Sequence, residues 1–247
     1  VHLGSLYHDD VMDDAPTRRT VESVNARWGN LTAILAGDYQ LARASEIAAG
    51  LGTEVAGLLA ATIARLCEGQ VREIQDAYSV ERTEENYLRS IDGKTASLLA
   101  TACRIGGIVA DLPRDHIDTL TAFGHGYGMA FQIVDDILDI VATDEQLGKR
   151  AGTDLVEGIY TLPVIRALDT EVGTDLGHLL GEPLDDATLD KARDLVRLSG
   201  GIEAALAEAR RFARLSCEAL EPLEGTLAAT ALGAAADHLI TRVESAA

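Results

Sequence analysis

Two short stretches set carboxylates at the same spacing. In YHDDVMDD, Asp9, Asp10 and Asp13 stand as DDxxD, and in FQIVDDILDI the residues Asp135, Asp136 and Asp139 repeat it. On a helix, residues four apart project about 40° from one another, so Asp9 and Asp13 point side by side, as do Asp135 and Asp139. The neighbours are apolar: Leu6, Val11 and Met12 flank the first box, and Phe131, Ile133, Val134, Ile137 and Leu138 surround the second. Carboxylates crowded onto apolar helices repel one another and lose hydration. A divalent cation relieves both problems, and an all-oxygen set suits Mg²⁺, which keeps several waters and bridges to phosphate. Two facing boxes in a helical bundle would hold a cluster of Mg²⁺ ions, with a diphosphate on the open side. A third acidic cluster, Asp185, Asp186 and Asp190 in EPLDDATLD, has polar neighbours and reads as a loop and helix start.

Cations accompany each box. Arg18 and Arg19 follow the first, and arginine's planar fork matches phosphate oxygens bidentately. Lys149 follows the second in the glycine-flanked stretch GKRAGTDL, and Lys94-Thr95 offers an ammonium and a hydroxyl early in another helix. Their arrangement around two acidic boxes predicts phosphate binding.

These residues need long helices to carry them. Apolar residues recur at helical spacing almost throughout, interrupted by short turn signals. The pattern predicts the end of a helix over 1–12, long helices over 23–49 and through Leu58, Ile63, Leu66 and Val71, and another from Thr83-Glu84-Glu85 to about Val109. Acidic residues at that start suit the helix dipole. A further long helix spans 115–140, and a polar loop covers about 143–157. Helices over 161–169, 186–197, 202–220 and 226–243 complete the chain. Aromatics are only 4% of the 247 residues, and no useful strand alternation, low-complexity region or linker is visible. The expectation is all-α: one domain over 1–247 of long helices packed as a bundle.

The formal charge of −19 argues against a nucleic-acid partner and against attachment to anionic membranes. No apolar run is long enough to span a bilayer, and no signal peptide is visible. Cys67, Cys103 and Cys217 are odd in number and widely spaced, which reads as buried thiols in a reducing cytoplasm. The chain opens on Val1 in what looks like the middle of a helix, so N-terminal helices are expected to be missing.

Together the motifs resemble those of the all-trans (head-to-tail) isoprenyl diphosphate synthases, or polyprenyl synthetases, of the bacterial medium- and long-chain type. DDVMD followed by RR is similar to the family's first aspartate-rich motif. GMAFQIVDDILD with GKRAGTDL is similar to the second, GKT at 93–95 to its Lys-Thr motif, and EGIYTLPVI at 157–165 also fits. The resemblance covers essentially the whole chain in order. It implies the isoprenoid synthase fold, helices around a deep central cavity, usually as a homodimer, and condensation of isopentenyl diphosphate with an allylic diphosphate. Mg²⁺ is the implied cofactor, with Asp9, Asp13 and Asp135 as direct ligands of about three ions. Asp10, Asp136, Asp139 and Asp154 are implied to hold metal-bound waters. Arg18, Lys94 and Lys149 would bind the allylic diphosphate with help from Thr95. Arg19 would bind isopentenyl diphosphate, with His2 and Gln132 lining that side.

Two departures stand out. The family's Gly-Gly-Lys-Arg-like segment lies upstream of the first box and is not in this sequence, and Ile159 stands where many members have lysine. Along the helix before Asp9, the residues Gly4, Ser5 and Val1 carry no aromatic block, which predicts products of about twenty carbons or longer. Two other readings stay open on sequence alone. A class I terpene cyclase would share the fold, but cyclases usually carry a different second metal motif. A non-catalytic regulatory subunit would tend to lose box aspartates, and both boxes are intact here.

Overall fold

The computed structural model describes residues 1–18, 21–147 and 150–246. Two compact units divide the chain, Val1–Ala64 and Arg65–Ala247, with the boundary inside one long helix. The first unit holds α1 (His2–Met12), a hairpin of β1 (Thr17–Arg18) and β2 (Val21–Glu22), α2 (Val24–Trp28), α3 (Asn30–Gly50) and the first half of α4 (Thr53–Gln75). The hairpin is antiparallel, pairing Thr17 with Glu22 and Arg18 with Val21. Two residues per strand are too few for alternation to register in the sequence. The continuous helix expected over 23–49 is instead broken at Gly29, whose φ of 85° ends α2. Ser23 caps α2, its hydroxyl accepting from the Ala26 N–H.

In the second unit follow α5 (Glu84–Ile91), a π-helical turn (Asp92–Ala96), α6 (Ser97–Val109) and α7 (Arg114–Val141). After these come α8 (Asp144–Leu147), α9 (Thr153–Val156), α10 (Leu162–Leu168), α11 (Gly173–Gly177), α12 (Asp186–Leu198), α13 (Gly201–Ala219), a 3₁₀ turn (Glu221–Leu223) and α14 (Leu227–Ala246). The polar stretch 143–157 thus carries two short helices. Asp185 caps α12 by accepting from the Thr188 N–H at 2.8 Å, in keeping with the solvated reading of that cluster.

The core of this unit is built around α7, against which α6, α13 and α14 pack. Glycines make the approach close: a Cβ at Gly124 would lie 2.7 Å from the Leu99 carbonyl oxygen, and one at Gly128 2.6 Å from Ala96 Cα. On the other side, a Cβ at Gly126 would sit 3.0 Å from Ser216 Cβ of α13. GHGYG therefore lets two layers close on one helix, while Met129, Ile133, Val134 and Ile137 fill the core. Burial of such side chains contributes roughly 1.5–3 kcal/mol each.

The cysteines are free, but Cys67 is exposed and the other two are half-buried, so the expectation of three buried thiols does not hold. Cys67 lies on an α4 face that turns to solvent with Val71 and Ile74. Among the described residues no helix is long and apolar enough to cross a membrane.

Candidate active site

In the first unit the aspartate box occupies the end of α1. Asp10 is 1% exposed, Asp9 is half-buried, and Asp13 is exposed where the helix ends. The chain then turns through Asp14 at a φ of 47°, a left-handed conformation that aspartate tolerates better than most residues. The hairpin returns Arg18 to the box. Its Nε donates to Asp10 Oδ1 at 2.7 Å and its Nη2 lies 2.5 Å from the same oxygen. Asn25 Nδ2 ties the turn together by donating to the carbonyls of Asp10 at 3.0 Å and Ala15 at 3.2 Å. A carboxylate this buried needs a counter-charge, and Arg18 supplies it.

Gly4 lies about 140° around α1 from Asp9 and faces α3. A Cβ there would come 3.0 Å from the Gly37 carbonyl oxygen and 3.2 Å from Leu41 Cγ. Gly4 therefore permits close packing of α1 on α3, and the expectation of an open path along α1 passes to Val1 and Ser5. Ser5, about 40° from Asp9, is buried and donates its hydroxyl to the His2 carbonyl at 2.9 Å. His8 Nε2 reaches the Ile34 carbonyl at 3.1 Å and fixes the same helix pair. The His2 side chain is exposed.

In the second unit the box lies on the last two turns of α7. Asp136 and Asp139 are 3% and 2% exposed, while Asp135 is half-buried. Asp136 is held at both oxygens: Tyr87 Oη donates to Oδ2 at 2.6 Å and Gln132 Nε2 donates to Oδ1 at 2.8 Å. The other end of the Gln132 amide accepts from Thr95 Oγ1 at 2.7 Å. Burial pushes the Asp136 carboxyl up to about 7, against the pull of its two hydrogen bonds. Burial, then the neighbouring Asp136 charge, holds the Tyr87 hydroxyl well above the usual tyrosine range.

Asp139 is fixed from beneath. Its Oδ2 accepts from the Asp154 N–H at 3.1 Å and its carbonyl accepts from the Gly152 N–H at 2.8 Å. The end of α7 is capped by arginines of α12. Arg193 donates to the carbonyls of Ile140 and Ala142, each at 2.9 Å from Nη2, and Arg197 Nη2 donates to Ile140 at 3.0 Å. Guanidinium groups there satisfy end carbonyls and oppose the negative end of the helix dipole. Asp135 alone of this box has no hydrogen-bond or ion-pair partner among the described residues.

Lys94 and Thr95 stand on the π-helical turn, a distortion that often marks functional sites. A Cβ at Gly93 would lie 2.7 Å from the Arg65 carbonyl oxygen, and one at Gly69 2.6 Å from the Lys94 amide nitrogen. Two glycines thus bring α4 and the turn into backbone contact. Glu73, about one helical turn beyond Gly69, meets the Lys94 ammonium in an ion pair. The second unit therefore gathers Lys94, Thr95, Gln132, Asp136 and Asp139 with their supports. Arg19 and Lys149 lie outside the described residues.

The donor set fits a hard divalent cation. Oxygen is the only ligand type on the boxes, and Asp135 presents a carboxylate with no partner among the described residues beside two that accept hydrogen bonds from the protein. Among the described residues no three His, Cys, Asp or Glu side chains converge as a closed cation cage. Mg²⁺ seldom uses such a cage, binding instead through one or two carboxylates, waters and substrate phosphates.

A family model described as polyprenyl synthetase matches residues 1–196. The chain belongs to the polyprenyl synthetase family. Nonaprenyl diphosphate synthase of Mycobacterium tuberculosis is 41% identical over 246 residues, covering 98% of this chain and 73% of that protein. Heptaprenyl diphosphate synthase component 2 of Geobacillus stearothermophilus is 41% identical over 86% of this chain and 67% of its own length. A solved structure of geranylgeranyl pyrophosphate synthase from Corynebacterium glutamicum, complexed with calcium and isoprenyl diphosphate, matches at 42% identity and a TM-score of 0.82. It covers 98% of this chain and 74% of that one. This synthetase is thus a prenyltransferase with the all-α isoprenoid synthase fold.

Several supports of the synthetase's site were missed in the sequence. Tyr87, Glu73 and Asn25 sit outside the boxes, and each meets its partner only in the folded chain. Tyr87 lies 49 residues from Asp136. A buried tyrosine in a helix gives no local sign of a carboxylate partner. For Glu73 the signal was a carboxylate four residues after a glycine on an apolar helix, too common to single out.

Proposed function

We propose that the chain condenses isopentenyl diphosphate with an allylic diphosphate, dependent on Mg²⁺, and extends the product to about twenty carbons or longer. The observation that carries this reading is the division of labour on α7: Asp135 has no partner among the described residues, while Asp136 and Asp139 accept hydrogen bonds from the protein. That is what a direct ligand and two water-holding aspartates require, and we assign Asp9 and Asp13 of α1 the direct role in the first box. Asp10 and Asp154 take the water-holding role with them. When bound, Mg²⁺ supplies positive charge to the leaving diphosphate, easing heterolysis of the allylic C–O bond.

The chain's own residues do the rest. Lys94 places an ammonium toward the diphosphate, and Thr95 is oriented by Gln132 to donate beside it. We also assign Arg18 of the first unit to the allylic diphosphate, since its fork suits phosphate as well as carboxylate. The same role falls to Lys149 for the allylic substrate, and to Arg19, His2 and Gln132 for isopentenyl diphosphate. The double bond of isopentenyl diphosphate then attacks the allylic carbon, and a proton leaves the adduct for the released diphosphate. No side-chain nucleophile is needed.

The test is incubation of the protein with Mg²⁺, labelled isopentenyl diphosphate and dimethylallyl, geranyl, farnesyl or geranylgeranyl diphosphate, followed by product sizing. Elongation from at least one primer is expected. Ser5→Phe should shorten the product by placing a ring one turn below Asp9. A folded protein that extends none of the four primers would sink the reading.

Self-association is the second part of the proposal. Along α3, Leu31, Leu35 and Tyr39 form one stripe at 73%, 58% and 64% exposure. A stripe of that size on one helix supports a homodimer, since exposed apolar patches mark interaction surfaces. Sedimentation equilibrium should give twice the 26.2 kDa chain mass; a monomer at micromolar concentration would contradict it. A cytoplasmic location is consistent with three free thiols.

A further inference from the structure

We infer that Tyr87 is a positioning residue for the reaction, acting through its hydroxyl on Asp136, Gln132 and Thr95. The inference rests on the Mg²⁺-dependent reading above.

The Tyr87 ring is 1% exposed and packs among Ile91, Met129 and Ile133 of the core. Phenylalanine would fill that space equally well. The hydroxyl adds nothing to packing, and a buried hydroxyl costs free energy unless it is hydrogen-bonded. Its partner is Asp136 Oδ2 at 2.6 Å, a distance typical of a charge-assisted O–H···O bond. The ring is itself held from the far side. Arg82, also buried, lays its guanidinium 5.6 Å from the ring centroid and donates Nη1 to the Tyr160 carbonyl at 3.0 Å.

From Asp136 the hydrogen bonds run in one direction. With Oδ2 taken by Tyr87, Oδ1 is left to receive Gln132 Nε2 at 2.8 Å. The amide is thereby turned so that its oxygen accepts from Thr95 Oγ1 at 2.7 Å. One chain of hydrogen bonds thus joins α5, α7 and the π-helical turn, and it ends on the motif that carries Lys94. Removing the tyrosine hydroxyl frees Asp136 to rotate, and with it Gln132 and Thr95 lose their fixed orientation. Asp135, the next residue on α7, stays in place but loses its fixed neighbour.

Outer partners of metal and phosphate ligands are worth roughly 10–100-fold in affinity or activity when removed. Tyr87→Phe should therefore weaken binding of Mg²⁺ with inorganic diphosphate by roughly tenfold, measured by isothermal titration calorimetry. Turnover should fall by a similar factor with little change in the KM for isopentenyl diphosphate. Circular dichroism should show the fold retained. Thr95→Val cuts the same chain at its other end, so the double variant should bind no worse than the weaker single one.

A folded Tyr87→Phe within twofold of wild type in both binding and turnover would overturn the inference. So would losses that multiply in the double variant. If wild-type protein itself fails to bind Mg²⁺ with diphosphate, the underlying functional reading falls and takes the inference with it. That outcome differs plainly from equal binding by wild type and variant.

Discussion

Asp135→Ala and Asp9→Ala should each lower kcat/KM for chain elongation by roughly 10³–10⁵-fold, or about 4–7 kcal/mol of transition-state stabilisation at 1.36 kcal/mol per tenfold. The loss is expected in kcat more than in binding, because the charge that needs a cation grows as the allylic C–O bond breaks. Asp135 is the sharper case. It stands half-buried beside Asp136, held at both oxygens, and Asp139, held at Oδ2, and removing it leaves no donor among the described residues unsatisfied. Folding should survive, so far-UV circular dichroism near wild type, combined with the rate loss, would separate chemistry from stability. Activity within tenfold of wild type in either variant would remove that carboxylate from the list of metal ligands. Asp136→Ala is a poorer probe because it would strand the Tyr87 hydroxyl and the Gln132 amide in the core.

The second large effect is expected at Lys94. Lys94→Met keeps the length of the side chain and deletes its charge, and should cost roughly 10²–10³-fold in kcat, the usual consequence of losing one donor to developing negative charge. There is a complication with a physical cause: Glu73 pairs with Lys94, and its side chain is only 11% exposed. Removing the ammonium leaves that carboxylate short of a counter-charge, which can destabilise the fold on its own account. The double variant Lys94→Met with Glu73→Gln removes the stranded charge. If Lys94 acts on the diphosphate, the double variant should recover thermal stability while turnover stays low. Recovery of both would assign Lys94 a structural role.

Much of this was legible before folding was considered. The 3.6-residue period over 115–140 and the DDxxD within it located α7 within a residue or two at each end. Which aspartate does what was not legible in the residue pattern, because that depends on partners far away in sequence. Tyr87 and Gln132 hold Asp136 and not Asp135, although the two adjoin in the chain. The break at Gly29 was hidden because the apolar positions on either side keep nearly the same period. The π-helical turn escaped for a related reason: one extra residue in a helix shifts the pattern too little to show. The residue pattern suggested an open path at Gly4, and the distance to Gly37 shows close packing there instead. Asp14, which had no chemical role to suggest itself, takes the left-handed turn that lets the chain leave α1.

The central claim is that both aspartate boxes serve one ionisation step. Single-turnover release of diphosphate from a labelled allylic primer, with isopentenyl diphosphate and saturating Mg²⁺, tests it most directly in wild type, Asp9→Ala, Asp135→Ala and the double variant. Residues that act as a unit are strongly non-additive. The account predicts that each single variant loses nearly all the rate and that the double variant is little slower than either. A single variant at wild-type speed, or losses that simply multiply, would contradict it.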